Sequence, residues 1–366
     1  MTDPKPDADP GTEDREALRQ AVAALLDRTP PGAAWPKLCG EIGVAALAVP
    51  ERYGGAGAGL PEVCVVLEEL GRTLTPAPML GSAVLAATAV LNCGDESTRE
   101  RLLPGIAAGT STAALAWAGA RGRWDPAAPA CRWDGRLHGE AHYVLDGADA
   151  DVLVVAARTA GGVRLFEVDP ADSARIPATP LDDTRPLATV LLVGCPGRPL
   201  DAAADTGADQ TAALAHLRDV ACVALAAEQV GTAAHCLAAT VAYTKQRVQF
   251  GRPIAHFQAL QHRLADLHVL VETARSAVWA AARAAAAEAD KTQLPLLAGV
   301  AKVHCSEVAR RAAAEMVQMH GGIAITWEHV AHRYLKRAHG GAQLFGQPHE
   351  HVARLAEAAL TPVDPS

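Results

Sequence analysis

YTKQRVQFGRPIAHFQALQHRLAD, residues Tyr243–Asp266, is the stretch on which the reading of this chain turns. It starts as the end of one long helical pattern and resumes as another, with Gly251 and Pro253 between them. A glycine turns the backbone freely and a proline cannot continue a helix. The physical reading is therefore helix, tight turn, helix. On that reading Arg247 is a surface or subunit-contact residue at a helix end, and Phe250 and Phe257 belong to the core.

Working outward, Ala212–Gln246 is nearly unbroken, and Phe257–Asp290, Pro295–His320, Thr326–Ala338 and Pro348–Ala359 follow. Runs such as WAAARAAAA at Trp279–Ala287 favour helix, because alanine gives up no side-chain entropy. Long helices joined by short loops predict a bundle. Between Ala114 and Asp201 the pattern changes to short Val-, Leu- and Tyr-rich runs at Arg136–Val144, Asp151–Ala157, Val163–Val168 and Ala188–Val193. These are strand signals, and Asp134-Gly135 is a turn between two strands. The N-terminal part reads as helices at Asp14–Leu26, Leu38–Leu47, Glu62–Gly71, Gly81–Leu91 and Ser97–Ala108, with a glycine-rich loop at Val49–Gly59. The expected fold class is α+β, mainly α. A disordered lead-in (1–12) precedes a helical domain (13–113), a middle β-barrel-like domain (114–210) and a C-terminal four-helix bundle (211–366).

Composition narrows the function. Of 366 residues half are hydrophobic, 4% are aromatic and the net charge is -8. An acidic chain without a basic run, and with few aromatics for base stacking, predicts no nucleic-acid partner. Charges interrupt the apolar runs before about 18 residues, so no membrane span is expected. The start, MTDPKPDADPGTEDRE, is acidic and proline-rich, the reverse of a signal peptide. Eight cysteines lie scattered with no C-x-x-C, which predicts reduced thiols, no zinc site and a cytoplasmic location. His320, His329, His332, His339, His349 and His351 crowd one stretch. No H-E-x-x-H or cysteine partner accompanies them, so no metal is expected.

Four blocks carry a resemblance. R-x-Q-F-G-x-P-I-x-x-F-Q, here Arg247, Gln249, Phe250, Gly251, Pro253, Ile254, Phe257 and Gln258, with Ala265 and Asp266 beyond, resembles the signature of the acyl-CoA dehydrogenase family. Gln318–Tyr334 resembles the family's Q-x-x-G-G-x-G segment, with Gln318, Gly321 and Gly322 in place and Ala324 at the last glycine. Leu47–Gly71 resembles its P-E-x-y-G-G-x-G loop, and Trp133–Arg158 its D-G-x-x-L-x-G hairpin. The resemblance implies a flavoprotein that binds FAD and oxidises an acyl-CoA, or a carrier-bound acyl thioester, to its 2,3-enoyl form. It implies an FAD site formed by Arg247, Gln249, Phe250, Gln258, Gln318, Gly321 and Gly322, with Arg247 reaching the cofactor of a neighbouring subunit. A homo-oligomer, or a heterotetramer with a homologous subunit, is expected.

Three departures stand out. Where the family reads T-E-P-x-x-G-S-D, Ala116–Asp125 reads AWAGARGRWD. Where it reads f-I-T-N, Tyr143–Asp146 reads YVLD. The two positions that supply the base glutamate in relatives are Phe345 and Val248, neither of which takes a proton. Glu328 becomes the candidate catalytic base, with Glu350 behind it; the bland reading of Glu328 is a first-turn glutamate favoured by the helix dipole. The run Arg333, Lys336, Arg337 is a candidate for a CoA phosphate or a solvated face. Alternative readings are a non-catalytic subunit that completes the FAD site of a homologous dehydrogenase, and a flavin fold turned to non-redox biosynthetic chemistry.

Overall fold

The computed structural model describes residues 11–119, 121–201, 208–287 and 292–360. Its N-terminal part is helical: α1 (Thr12–Arg28), α2 (Leu60–Thr73), α3 (Met79–Cys93) and α4 (Glu96–Ala107). Caps fix these starts. The Glu62 carboxylate accepts the Gly59 N–H at 3.0 Å ahead of α2, and Asp95 accepts the Thr98 N–H at 2.8 Å ahead of α4. The helix expected over Leu38–Leu47 is broken instead. Gly43 takes a left-handed φ of 79° and separates a wide turn at Leu38–Ile42 from a tight one at Val44–Ala46.

The middle part is a curled sheet of eight strands: β1 (Ala113–Ala116), β2 (Cys131–Trp133), β3 (Leu137–Leu145), β4 (Val152–Thr159), β5 (Gly162–Val168), β6 (Ala174–Pro177), β7 (Leu187–Cys195) and β8 (Arg198–Pro199). The order is β6-β7-β3-β2-β4-β5-β8, and β1 runs parallel to β4, with Ala113 opposite Val152. Alternation along β4 explains why both faces are apolar. Leu153, Val155 and Ala157 fill the core inside the sheet, while Val154 and Ala156 join the large core shared by the helices. β3 shifts register between Ala141 and Val144, where Tyr143 has a φ of 55°. That bulge re-aims the YVLD segment.

The C-terminal helices are α5 (Thr211–Gln246), α6 (Gln258–Ala286), α7 (Leu294–His320), α8 (Ala331–Gln343) and α9 (Pro348–Leu360). A short hairpin, β9 (Val248–Gln249) with β10 (Arg252–Pro253), joins α5 to α6. α8 begins at Ala331, five residues later than the pattern suggested, because Thr326–Val330 forms a turn. α5 is long and apolar enough to cross a membrane, contrary to the reading from charge spacing. However, 83% of its apolar window is buried inside the fold, so it is the core helix of the bundle. α2 crosses α5 at glycines: a Cβ on Gly71 or Gly231 would run into the backbone carbonyl of Glu228 or Glu68.

Candidate functional site

Two helix ends meet at one extremity of the bundle. Tyr243, in the last turn of α5, stacks on His320 at the end of α7 with ring centroids 4.2 Å apart, and its hydroxyl donates to the His320 carbonyl at 3.4 Å. This contact sets the Arg247 hairpin and the Gln318–Gly322 segment side by side. Arg247, Gln249, Gln258 and Gln318 are all exposed. Phe250, expected in the core, is instead 91% exposed at the hairpin tip with a φ of 53°. The Phe257 ring meets it edge-on, at 6.0 Å between centroids. Gly321 has φ 67° and ψ -145°, a conformation that essentially only glycine holds, and nothing lies within 4 Å of a Cβ built there or at Gly322. Beyond the glycines Ile325 is 76% exposed and Trp327 82%.

Glu328 follows Trp327 and is exposed. It precedes α8 and so is not in that helix's first turn. His329 supplies the local order instead: its Nδ1 accepts the Ala331 N–H at 3.1 Å. Partial burial, then the neighbouring His320 and His332, holds His329 below the usual imidazole value. Among the described residues no group of three His, Cys, Asp or Glu is placed to hold a metal ion.

The second place of interest is the cleft between the sheet and the bundle. Trp117, Trp124 and Phe345 pack edge to face, with centroids 5.5 Å and 4.9 Å apart. Phe345 is buried with a φ of 60°, and Gly346 follows at 101°. Two buried groups hold this segment. Lys302 Nζ donates to the Ala342 carbonyl at 3.0 Å, and His351 Nε2 donates to the Phe345 carbonyl at 3.0 Å. Burial lowers Lys302 to about 8. It lowers His351 to about 4, with Arg354 adding to the effect. Beside Phe345 lies a cavity of about 280 Å³ lined by Arg123, Trp124, Asp125, Arg218, Glu350 and Arg354. Glu350 lies on the wall, but its carboxylate accepts the Gln347 N–H at 2.7 Å, as a helix cap does.

A third feature corrects the basic run. Arg337 is not a solvated cation. It is buried, bonded to Asp182 at 2.9 Å and Glu228 at 2.5 Å, and it donates to the Thr184 hydroxyl at 2.7 Å. Arg185 also pairs with Glu228. Arg333 lies 3.8 Å from Asp183, and Lys336 sits 4.9 Å from the centre of the Trp327 ring. In the adjoining small cavity, burial pushes Asp146 up to about 7. Neither this knot nor the arginine cavity was foreseen from sequence. The available signal was Arg218-Asp219 and Glu228 interrupting an otherwise apolar helix.

The outer face suits a dinucleotide. It offers a guanidinium for a diphosphate, side-chain amides for polar edges, and an open glycine pair that lets a ligand approach the backbone. These groups are exposed on the surface of their own chain.

Residues 12–110 match the family model described as "Acyl-CoA dehydrogenase, N-terminal domain", and residues 211–360 match "Acyl-CoA dehydrogenase, C-terminal domain". The chain is 39% identical to acyl-CoA dehydrogenase IpdE2 of Mycolicibacterium smegmatis, over 94% of this chain and 98% of that one. Among solved structures it is similar to a variant of the Tcur3481-Tcur3483 steroid ACAD (32% identity, TM-score 0.83, covering 95% of this chain and 99% of that one). It is also similar to a chain of the ChsE4-ChsE5 complex from Mycobacterium tuberculosis (28% identity, TM-score 0.85, 96% and 99% covered).

Proposed function

The chain belongs to the acyl-CoA dehydrogenase family, and on that premise we propose that it serves FAD-dependent α,β-dehydrogenation of an acyl thioester within a homo-oligomer or a heterotetramer with a homologous subunit. The observation that carries this reading is the outward-facing set of Arg247, Gln249, Phe250, Gln258, Gln318, Gly321 and Gly322. Bound FAD would supply the hydride acceptor. Arg247 would hold the cofactor's diphosphate across a subunit boundary, with the amides and the open glycines fixing the rest. Glu328 is the candidate base that takes the α-proton. It is an exposed carboxylate just past the glycine segment, where a second chain would have to complete the cleft. The thioester is carried on CoA or on a carrier. The steroid label of one structural relative supports a bulky acyl group.

One observation favours a second reading. Phe345, at the position the resemblance gives to a base, is buried against Trp124, which suits a subunit that supports a catalytic homologue rather than turning over substrate in its own cleft. The experiment is FAD content and turnover of the chain alone and co-expressed with a homologous subunit. The expected result is FAD retained by the assembly and lost on Arg247→Ala. Retention unaffected by Arg247→Ala overturns the shared-site proposal. Glu328→Gln should lower kcat by about 10²-fold or more if it is the base. Unchanged turnover moves the base to the other subunit.

A further inference from the structure

The cavity beside Phe345 has polar walls, and its charges do not satisfy one another. Arg123, Arg218 and Arg354 line it with Asp125 and Glu350, and Asp219 lies next to Arg218 and Arg354, so the formal charges balance. The contacts do not. Asp219 Oδ1 is shared by Arg218 and Arg354 at 3.7 Å from each, beyond hydrogen-bond length. The Asp125 carboxylate is turned to the Ala127 N–H at 3.0 Å, and Glu350 to the Gln347 N–H at 2.7 Å. Arg218 Nε is buried and has no hydrogen-bond partner among the described residues. His351, neutral and donating through Nε2 to the Phe345 carbonyl, leaves Nδ1 as a buried acceptor, also without a partner among the described residues.

A half-buried guanidinium whose enclosed Nε–H has no acceptor at hydrogen-bond distance costs free energy that a bound oxyanion offsets. Burial, then the nearby Arg354, makes it harder for Arg218 to stay charged, and Asp219, too far for a hydrogen bond, offsets this only in part. We infer that this cavity is an oxyanion subsite that takes a carboxylate carried on the acyl part of the thioester, between Arg218 and Arg354. This rests on the thioester reading above, with the base supplied by a second chain because Glu328 lies at the opposite end of α5 from Arg218, and it narrows that reading to acyl groups with a second, anionic end. The phosphates of the CoA arm are the other source of the same chemistry.

The test is calorimetric titration of the assembled protein with glutaryl-CoA, pentanoyl-CoA and CoA. Glutaryl-CoA should bind about tenfold more tightly than pentanoyl-CoA, and Arg218→Gln should remove that preference. Arg354→Gln, on the more exposed helix, should do the same and guards against a folding defect at the more enclosed Arg218. Equal binding of the two acyl-CoAs by the unaltered protein overturns the subsite and leaves the thioester reading standing. Binding of CoA as tight as glutaryl-CoA, with the same loss in Arg218→Gln, gives the arginines to the phosphate arm and overturns the carboxylate assignment. No binding of any of the three overturns both readings.

Discussion

Phe345 shows how one residue can redirect a site. It takes the position that the resemblance gives to a base glutamate, and it is buried against Trp124 in a left-handed backbone. Phe345→Ala should cost about 3–5 kcal/mol in chemical denaturation, because the ring leaves a cavity that the indoles cannot close. A cost under about 1 kcal/mol would mean the cluster is not tightly packed. Asp146 makes a pH-dependent contribution. Its pKa in the folded state, about 7, lies above the ordinary carboxylate value, so folding favours the protonated form. That favourable contribution fades as pH rises through about 7, and the protein then holds a poorly solvated charge. Asp146→Asn should therefore stabilise the protein at pH 8 by on the order of 2 kcal/mol, with the gain shrinking toward pH 4. Asparagine tolerates the φ of 56° at this position. Melting curves of both proteins across that range decide it; a pH-independent difference would place the effect elsewhere. The sequence offered Phe345 as the counterpart of a glutamate only through the resemblance. The aromatic cluster around it was not legible there, because Trp117 and Trp124 lie more than two hundred residues away along the chain.

At the scale of elements, the crossing of α2 and α5 depends on glycine. Alanine usually favours helix over glycine by about 1 kcal/mol. Gly231→Ala should nevertheless destabilise by about 1–3 kcal/mol, because its Cβ would run into the Glu68 carbonyl and push the helices apart. A rise in melting temperature would show that the helices slide without cost. Sequence periodicity located most of the long helices and the main strands to within a few residues. It erred where a local signal was overruled. Gly43 breaks a helix that the apolar pattern continued, and the Thr326–Val330 turn delays α8. The two-residue β8 and the mostly exposed β6 carry too little alternation to read.

At the scale of the whole molecule, the single chain leaves Phe250, Ile325 and Trp327 in the open, beside groups suited to a dinucleotide. Exposed aromatics of this kind are what interfaces are built from. Phe250→Ser with Trp327→Ser should leave the stability of an isolated chain within about 0.5 kcal/mol while weakening self-association or pairing with a homologue, as read by sedimentation. An unchanged assembly would remove this face from the interface.

The sequence by itself determined the family and the mainly helical fold with a sheet in its middle, and it proposed the residues of the outer face. Each of these is written in local periodicity, turn residues or a contiguous motif. Tertiary structure alone decided that Phe250 points outward and that Arg337 is buried in an ionic knot. It also gathered Arg218 on α5 and Arg354 on α9 around one cavity with Arg123. Charge, exposure and pairing at those places depend on what packs against them from distant parts of the chain, and no local pattern records that.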